Sequence, residues 1–393
     1  MPRTRSQGGR PALARLARLL LAASISCAAL PGQAFEPEQV DTARLPADAS
    51  QRLFLPDAVL SHIADGRLLI VDGATMKLAG MLGAGMSGLY TLSPDRSEIY
   101  LATTYHARVD HGERNDVLGI YDATTLARKA EIVIPPKHAQ SLAVRNLLRT
   151  SASGRYALVY NATPATSVTI VDLAERRVLG EIATPGCWSL YPAQSVERRF
   201  ATLCGDGRML TVDFDEAGKP VRQARSDKLF DPDVDPLYTA AEQLGDSYLF
   251  VSFLGKAQRI DVAGETARAS EAPWNLLDAS AAKQGWRPGG YQFYAVHAPT
   301  NRLYIGMHPK GAEGTHKNPA QEIWVYDLAT RKRVQRLPGF NATALGVTRT
   351  AVPGLYALDG LTGDLVRIGL DGKPRETGRL KAVVEAPTVV GVN

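Results

Sequence analysis

The sequence predicts an all-β fold built from seven repeated units, and three observations support this prediction. A strand-like segment that ends in aspartate and turns into another strand recurs along the chain. Its copies begin at Leu68, Val117, Ser167, Met209, Ala257 and Glu322, with a weaker copy at Leu365. A further strand pattern precedes most copies, and the copies lie about fifty residues apart. A β-helix has much shorter repeats, and unrelated β-sandwiches would be less regular. The pattern is therefore typical of a seven-bladed β-propeller.

The aspartates of these repeats have a structural interpretation. They are Asp72, Asp122, Asp172, Asp213, Asp261 and Asp327, and Leu370 takes the equivalent place in the weaker copy. An aspartate at the start of a turn accepts a hydrogen bond from the backbone two residues on. We therefore predict that these carboxylates hold turns and are not catalytic.

The N-terminus has the pattern of a secretory signal peptide. Residues 1–18 contain five arginines and no acid, the apolar run Leu19–Leu30 follows, and small residues stand at Gly32 and Ala34. A run of this length is too short to anchor a chain in a bilayer. We predict a signal peptide at residues 1–34, followed by a single propeller domain at 35–393.

Removing residues 1–34 changes the charge of the chain. The whole sequence has 45 basic and 40 acidic residues, and the signal peptide takes away five arginines. The remaining chain has no net charge, so the composition argues against a nucleic-acid partner or a charged membrane surface.

The three cysteines divide between these two regions. Cys27 lies in the apolar run of the signal peptide, whereas Cys187 and Cys204 lie seventeen positions apart in the exported part. An isolated pair in an oxidising compartment normally forms a disulfide. Cys187 starts one predicted strand and Cys204 ends another, so a β-hairpin would place them opposite each other. We predict a structural disulfide between them.

The motifs that could carry chemistry are few. The segment GAGMSG at Gly83–Gly88 matches G-x-G-x-x-G, but a strand and a turn follow it and not the helix of a dinucleotide site. His308 and His316 flank the segment PKGAEGT within the polar loop Met307–Gln321, which we interpret as hydrogen-bonding and not metal-binding. A second insertion has helical composition at Asn275–Gln284 and a turn at Trp286–Gly290. No hydrolase or metalloprotease motif is present.

Several long segments resemble a known family, the heavy subunits of the tryptophan-tryptophylquinone amine dehydrogenases. The resemblance extends from about Gln51 to the C-terminus and is greater to the aromatic amine branch than to the methylamine branch. The segments are TTYHARVDHGERNDVLGIYDATTL, ATPATSVTIVD, GCWSLYPAQSVERRFATLCGDG, PWNLLDASAAKQGWRPGGYQ and MHPKGAEGTHKNPAQEIWVYD.

The resemblance implies a function and its partners. It implies a periplasmic α2β2 heterotetramer that oxidatively deaminates primary amines, aromatic ones in the branch it resembles most. Electrons would pass to a blue-copper protein of the azurin or amicyanin type. The quinone and the catalytic residues would belong to the small subunit, so this chain would contribute no catalytic, cofactor-binding or metal-binding residue.

One residue of the substrate channel also follows from the resemblance. The heavy subunit of this family places an aromatic side chain at the mouth of the channel, and Met86 takes that position here. The methionine departs from the aromatic pattern, and its flexible thioether shapes a pocket less rigidly. In the alternative interpretation, Met86 is a loop residue that packs on the propeller face. The alternative for the whole chain is a free-standing periplasmic propeller that binds a ligand or protein without catalysis.

Overall fold

The structure, a computed structural model, describes residues 43–392. The predicted signal peptide and Cys27 lie outside these residues. The regular structure within them is almost entirely antiparallel β-strand, in five hydrogen-bonded sheets. One short α-helix, α1 (Ala279–Lys283), begins after Asp278, whose carboxylate accepts a hydrogen bond from the Ala281 amide. Among residues 43–392, no helix has the length and apolar character needed to cross a membrane.

The first three sheets occupy the N-terminal half of the described chain. The first has the strand order β28-β1-β2-β3-β4-β5-β6, and the next two contain four strands each. The strands of the first sheet are β1 (Arg52–Asp57), β2 (Gly66–Asp72), β3 (Lys77–Leu92), β4 (Glu98–His106), β5 (Arg114–Asp122), β6 (Arg128–Ile134) and the C-terminal β28 (Gly391–Val392). The second sheet has β7 (Leu148–Thr150), β8 (Tyr156–Asn161), β9 (Ser167–Asp172) and β10 (Arg177–Ala183). The third has β11 (Cys187–Pro192), β12 (Arg199–Cys204), β13 (Met209–Phe214) and β14 (Pro220–Arg225).

The last two sheets occupy the C-terminal half. The fourth has β15 (Glu242–Leu244), β16 (Ser247–Val251), β17 (Lys256–Asp261), β18 (Arg268–Ala269) and β19 (Trp274–Asn275). The fifth has β20 (Arg287–Pro288), β21 (Tyr294–His297), β22 (Arg302–His308), β23 (Ala320–Asp327), β24 (Lys332–Val347), β25 (Leu355–Asp359), β26 (Leu365–Gly369) and β27 (Arg375–Leu380). Short 3-10 helices lie at Leu60–Asp65, Arg145–Leu147, Ala298–Thr300 and Thr315–Lys317.

Two long strands each pair with two successive rows, where a row is a set of neighbouring antiparallel strands. Strand β3 pairs with β2 as far as Gly85 and with β4 from Met86 onward. Strand β24 changes partner in the same way, from β23 to β25, at Ala342. Each long strand therefore ends one row and begins the next, and the first and fifth sheets are larger for this reason.

We call one edge strand of each row its leading strand. The leading strands are β7, β11, β15, β21, β28 and the C-terminal halves of β3 and β24. Hydrogen bonds join the segments in which several leading strands begin. Tyr291 N donates to Thr343 O (2.8 Å), and Thr343 Oγ1 donates to Pro387 O (2.7 Å). We call this end of the molecule the top face, and the opposite end the bottom face.

The core lies between facing sheets. One apolar cluster joins residues of the first three sheets, including Leu118, Tyr156 and Phe200, all at most 3% exposed. Inner strands are buried along their whole length, as in β9 (SVTIVD). The outermost strands are exposed and charged, as in β14 (PVRQAR). Arginine and glutamate on an outer strand discourage pairing with another molecule.

The repeated segments of the sequence coincide with one strand in each row, namely β2, β5, β9, β13, β17, β23 and β26. The turn prediction is confirmed for most of the aspartates. The carboxylates of Asp72, Asp122, Asp172 and Asp261 accept from the amide two residues on, at 2.9–3.1 Å. Asp327 accepts from the amide three residues on.

The prediction is wrong for Asp213. Its carboxylate pairs with Arg199 at 2.6 Å and with Arg222 at 3.0 Å. The following Asp215 holds the turn instead, through the amide of Ala217. Two arginines on neighbouring strands thus compete successfully for the carboxylate.

Candidate functional site

Met86 lies where β3 passes from one row of strands to the next. The ladder shifts register between Met86 and Leu89, and the flanking residues Gly85 and Ser87 have positive φ values of 49° and 57°. A Cβ at Gly85 would lie 2.8 Å from Thr104 O, so this position requires glycine. The GAGMSG segment is therefore a strand crossover, and β3 continues after it where a dinucleotide site would have a helix.

The side chain of Met86 is half-buried at the top face. The side-chain amide of Gln140, which is exposed, donates to the Met86 sulfur at 3.5 Å. Met86 therefore lies at the surface with one polar neighbour.

A buried polar network supports the Met86 segment from below. The His138 ring places Nδ1 2.7 Å from Asp116 Oδ2 and Nε2 3.3 Å from the carbonyl oxygen of Ser87. Both His138 and Asp116 side chains are fully buried. The imidazole thus connects a carboxylate in β5 to the strained residue next to Met86.

Asp116 remains ionised in this network. Its carboxylate also accepts from Arg114 at 2.7–2.8 Å and from Thr104 Oγ1 at 2.6 Å. Burial acts to raise the pKa of Asp116, but the hydrogen bonds from His138 and Arg114 outweigh it and hold this pKa well below its usual range. Sequence reasoning missed this network. The available signal was an aspartate directly before the apolar run VLGIY of β5.

A cavity of about 170 Å³ opens at the centre of the top face. Its walls include Arg145, Tyr238, Tyr291, Lys317 and Thr388, from segments that lead into β7, β15, β21 and β28. Lys317 Nζ lies 5.4 Å from the centre of the Tyr291 ring. The cavity is thus lined by aromatic and cationic side chains.

The polar loop at Met307–Gln321 contributes to this cavity by its backbone. The His316 carbonyl accepts from Gly290 N at 3.0 Å and from the Tyr238 hydroxyl at 3.3 Å. His308 is buried, and burial lowers its pKa. Residues 43–392 contain no group of three or more His, Cys, Asp or Glu side chains placed to hold a metal ion.

The structure of the second insertion, residues 275–290, differs in part from the sequence prediction. The helix α1 is shorter than the helical composition suggested. The predicted turn at Trp286–Gly290 contains strand β20, which pairs with His308 and Met307 of β22. Backbone pairing with a neighbouring strand therefore overrides the turn signal of its glycines and proline.

The disulfide prediction is confirmed. Cys187 and Cys204 are bonded and lie directly opposite each other where β11 begins and β12 ends. Both cysteines are buried. The bond therefore holds the third sheet together at the top face, the face on which Met86 and the cavity lie.

Two tryptophans pack together away from the cavity. The ring centres of Trp286 and Trp324 are 5.1 Å apart, and the two side chains are 6% and 0% exposed. The guanidinium groups of Arg333 and Arg336 cover them, with Arg333 4.3 Å from the Trp324 ring centre. Little of either indole is exposed, although Trp286 borders a small pocket together with Arg333 and Arg336.

Comparison with known proteins identifies relatives over most of the chain. The family model of the methylamine dehydrogenase heavy chain matches residues 48–392. The methylamine dehydrogenase heavy chain of Methylobacillus flagellatus is 26% identical over 354 residues, which cover 88% of this chain and 85% of the relative. That of Methylorubrum extorquens is 27% identical over 85% of this chain and 79% of its own length.

Solved structures with similar folds are more distant in sequence. The periplasmic gluconolactonase PpgL of Pseudomonas aeruginosa has a TM-score of 0.58 at 13% identity, over 87% of this chain and 99% of its own. The β-propeller domain of Cps50 from Myceliophteria thermophila has a TM-score of 0.50 at 12% identity, over 86% and 94%. At such identity the likeness concerns the fold alone, which is all-β and consistent with a β-propeller.

Proposed function

The chain belongs to the methylamine dehydrogenase heavy chain family, and from this premise we propose that it is the heavy subunit of a periplasmic α2β2 enzyme that oxidises primary amines. The match of the family model over residues 48–392 is the observation that carries the proposal. The signal-peptide pattern at residues 1–34 supports export.

We further propose that the domain from residue 35 to 393 is a propeller of seven blades. When β3 and β24 are divided at the points where they change partner, the strands fall into seven rows of four, with β19 and β20 as additional short strands in two of the rows. In the first row the leading strand is β28, which pairs with β1 and joins the two ends of the described chain. Such closure leaves few exposed sheet edges.

The light subunit is the proposed carrier of the tryptophan-tryptophylquinone, which supplies the electron-accepting chemistry. The tryptophan pair of this chain does not fit that role, because Trp286 and Trp324 are buried and covered by arginines. This chain would act by holding the light subunit, forming a wall of the substrate channel and excluding water from the reaction. The proposed electron acceptor is a blue-copper protein.

The top face is the proposed docking surface for the light subunit. Large apolar side chains are exposed on its loops, at Leu60 (58%), Val109 (75%), Val234 (67%) and Leu361 (70%). Val352 (74%) is the large apolar side chain exposed on the bottom-face loops of the described chain. Exposed apolar side chains grouped on one face are typical of an interaction surface.

Met86 is proposed to line the substrate channel, and the substrates to be aromatic primary amines. Its half-buried position on the top face supports the first proposal. The resemblance of long segments to the aromatic branch supports the second. The curated relatives named above are methylamine enzymes, so the comparison of amines in the Discussion is the deciding measurement.

Co-expression with the light subunit tests this function. We expect the complex to reduce a dye in the presence of amine and this chain alone to be inactive. The double variant V109D/L361D should fail to assemble and lose activity, because each charge would be buried against the partner. The matched control V352D, on the bottom face, should assemble and react normally.

Two outcomes would overturn the assignment, and a third would relocate the docking surface. Robust amine oxidation by this chain alone would show that the chemistry resides here. Failure of the unaltered chain to copurify with any light subunit, with no dye reduction, would favour the free-standing binding module. Loss of assembly in V352D but not in V109D/L361D would move the docking surface to the bottom face.

A further inference from the structure

The cavity on the top face is formed by segments from several rows of strands. Four segments that precede the leading strands β7, β15, β21 and β28 border it, at residues 143–145, 238–240, 290–292 and 388–389. His316 and Lys317 of the polar loop complete the wall. Residues that are far apart in the sequence therefore share one concave space.

Contacts among the side chains of the wall hold its shape. Arg145 Nη1 lies 2.6 Å from Glu242 Oε1, and the Tyr238 hydroxyl donates to Pro288 O at 2.9 Å. The Tyr238 ring also packs edge-on against Phe293, with the ring centres 4.5 Å apart. Because these side chains are held in place, the cavity has a preformed shape, as ligand pockets usually do.

The size and the lining of the cavity favour an apolar ring. Its volume is about 170 Å³, and an apolar cavity of about 150 Å³ can bind benzene. Two tyrosine rings and three small aliphatic side chains border the space, namely Tyr238, Tyr291, Ala143, Ala240 and Val389. An aromatic ligand could stack on a tyrosine and bury its surface against the aliphatic groups. The cavity therefore suits a ligand with one six-membered ring.

One positive charge beside the cavity has no ion-pair partner within residues 43–392. Lys317 is exposed, and its Nζ lies 5.4 Å from the centre of the Tyr291 ring. The other cation of the wall, Arg145, is paired with Glu242. Lys317 therefore attracts an anion to the cavity and repels an ammonium group.

Two buried residues of the wall have polar atoms without a partner in the described chain. Gln292 and Thr388 are 2% and 1% exposed, and both border the cavity. Gln292 Oε1 and Thr388 Oγ1 form no hydrogen bond with any atom of residues 43–392. Buried polar atoms are usually paired with protein, water or a ligand, so this wall suits a ligand that has polar groups as well as a ring.

We propose that this cavity binds one small aromatic carboxylate, with the ring against the tyrosines and the carboxylate at Lys317. The ring supplies the apolar contact and the carboxylate supplies the counter-charge, so one molecule satisfies both features of the wall. An inorganic anion would leave the apolar wall uncovered, and an aromatic amine would be repelled by Lys317. This inference does not depend on the amine dehydrogenase assignment.

Equilibrium dialysis of the full chain with radiolabelled benzoate, in the absence of a light subunit, tests the proposal. We expect saturable binding of one benzoate per chain, with unlabelled phenylacetate as a competitor. Benzylamine has the ring without the negative charge, and inorganic phosphate has the charge without the ring, so neither should compete. Competition by either of them as strong as that by phenylacetate would overturn the proposal.

Two variants test the charge and the space separately. K317Q should weaken benzoate binding by about fivefold, the loss expected for an exposed ion pair. A240L should weaken it by about tenfold or more, because the larger side chain would occupy the space of the ring. Lys317 lies on the surface, so K317Q should fold normally and remains decisive if A240L folds poorly.

The variant K310Q is the matched control, because Lys310 is exposed in the same polar loop and does not border the cavity. Its benzoate affinity should equal that of the unaltered chain at the same ionic strength. Absence of saturable benzoate binding to the unaltered chain would overturn the proposal. Equal weakening by K310Q and K317Q would also overturn it, because benzoate would then respond only to total charge.

Discussion

Asp116 illustrates how a charge is accommodated inside a β-strand. Its carboxylate receives hydrogen bonds from Arg114, Thr104 and His138, and its side chain has no exposed surface. A buried charge is tolerated only when its partners replace the hydrogen bonds of water. The partner His138 in turn contacts the backbone of Ser87, so this charge also orders the segment that carries Met86.

Replacing Asp116 by asparagine should destabilise the protein by about 3–5 kcal/mol at pH 7, because Arg114 loses a buried counter-charge and the hydrogen bonds to the carboxylate are disrupted. The pKa of Asp116 is lowered in the folded state, so its contribution is present above the unfolded pKa of about 4 and declines as pH falls below that value. Denaturant unfolding at pH 7 and pH 3 measures both effects.

The stability of the unaltered chain should therefore fall more steeply below pH 4 than that of D116N. The exposed Asp371 supplies the control, and D371N should change the free energy of unfolding by no more than about 0.5 kcal/mol. Identical stabilities of D116N and the unaltered chain at pH 7 would contradict the role given to this network.

Replacing Met86 by phenylalanine should alter amine preference in the assembled enzyme. A rigid ring in place of a flexible thioether changes the shape of the proposed channel, and such a change is worth about 1–3 kcal/mol of discrimination. The measurement is kcat/KM for methylamine and for 2-phenylethylamine, with the quinone spectrum expected to stay unchanged. M81F is the control, since Met81 is exposed in the first half of β3. An unaltered ratio in M86F would remove Met86 from the channel.

Strand pairs owe their geometry to short-range features of the chain. The hairpin of β11 and β12 is an example, since Cys187 and Cys204 stand opposite each other in its register. The disulfide closes this hairpin at the top face, where the flanking turns at Gly186 and Gly207 have positive φ. The covalent bond keeps the strand ends together where the ladder alone would fray.

The double variant C187S/C204S should lower the free energy of unfolding by about 3 kcal/mol, the value expected for a closed loop of this length. Guanidinium unfolding followed by circular dichroism measures the change. The unaltered chain under strong reductant should match the double variant, which serves as the control. An unchanged unfolding midpoint in both samples would show that the disulfide contributes no stability.

At the scale of the described chain, the last strand pairs with the first. Strand β28 pairs with β1, and the preceding Val390 is fully buried. Gln292 donates its side-chain amide to the carbonyl oxygens of Leu345 and Val390, which joins the closing segment to the fifth sheet. The two ends of the described chain are therefore held in one row of strands.

Removing residues 390–393 should open this closure. Loss of the buried Val390 side chain alone costs about 1.5–3 kcal/mol, and the unpaired Gln292 amide adds a further cost. We expect a lower midpoint of thermal unfolding and faster hydrogen exchange in β1. A chain that lacks only Asn393 is the control and should behave like the full chain. Equal exchange rates in β1 would show that β28 does not close the ring.

The sequence by itself determined the strands and many of their turns. Alternating apolar residues identified the repeated strands, and Asp122 and Asp172 were assigned to their turns, because both features depend on neighbours only a few residues away. The disulfide partners could also be named, since two cysteines on one hairpin are local to each other. Asp213 was misassigned because its two arginine partners lie on adjacent strands.

Only the tertiary structure decided which distant residues meet. His138 lies outside the strands yet meets Asp116 of β5, and Arg145 meets Glu242 from a distant part of the chain. No periodicity connects such positions, because their proximity arises from the way whole sheets are arranged around an axis. Charged groups interact through space and not along the chain, so the physical reason for these contacts exists only in the folded protein.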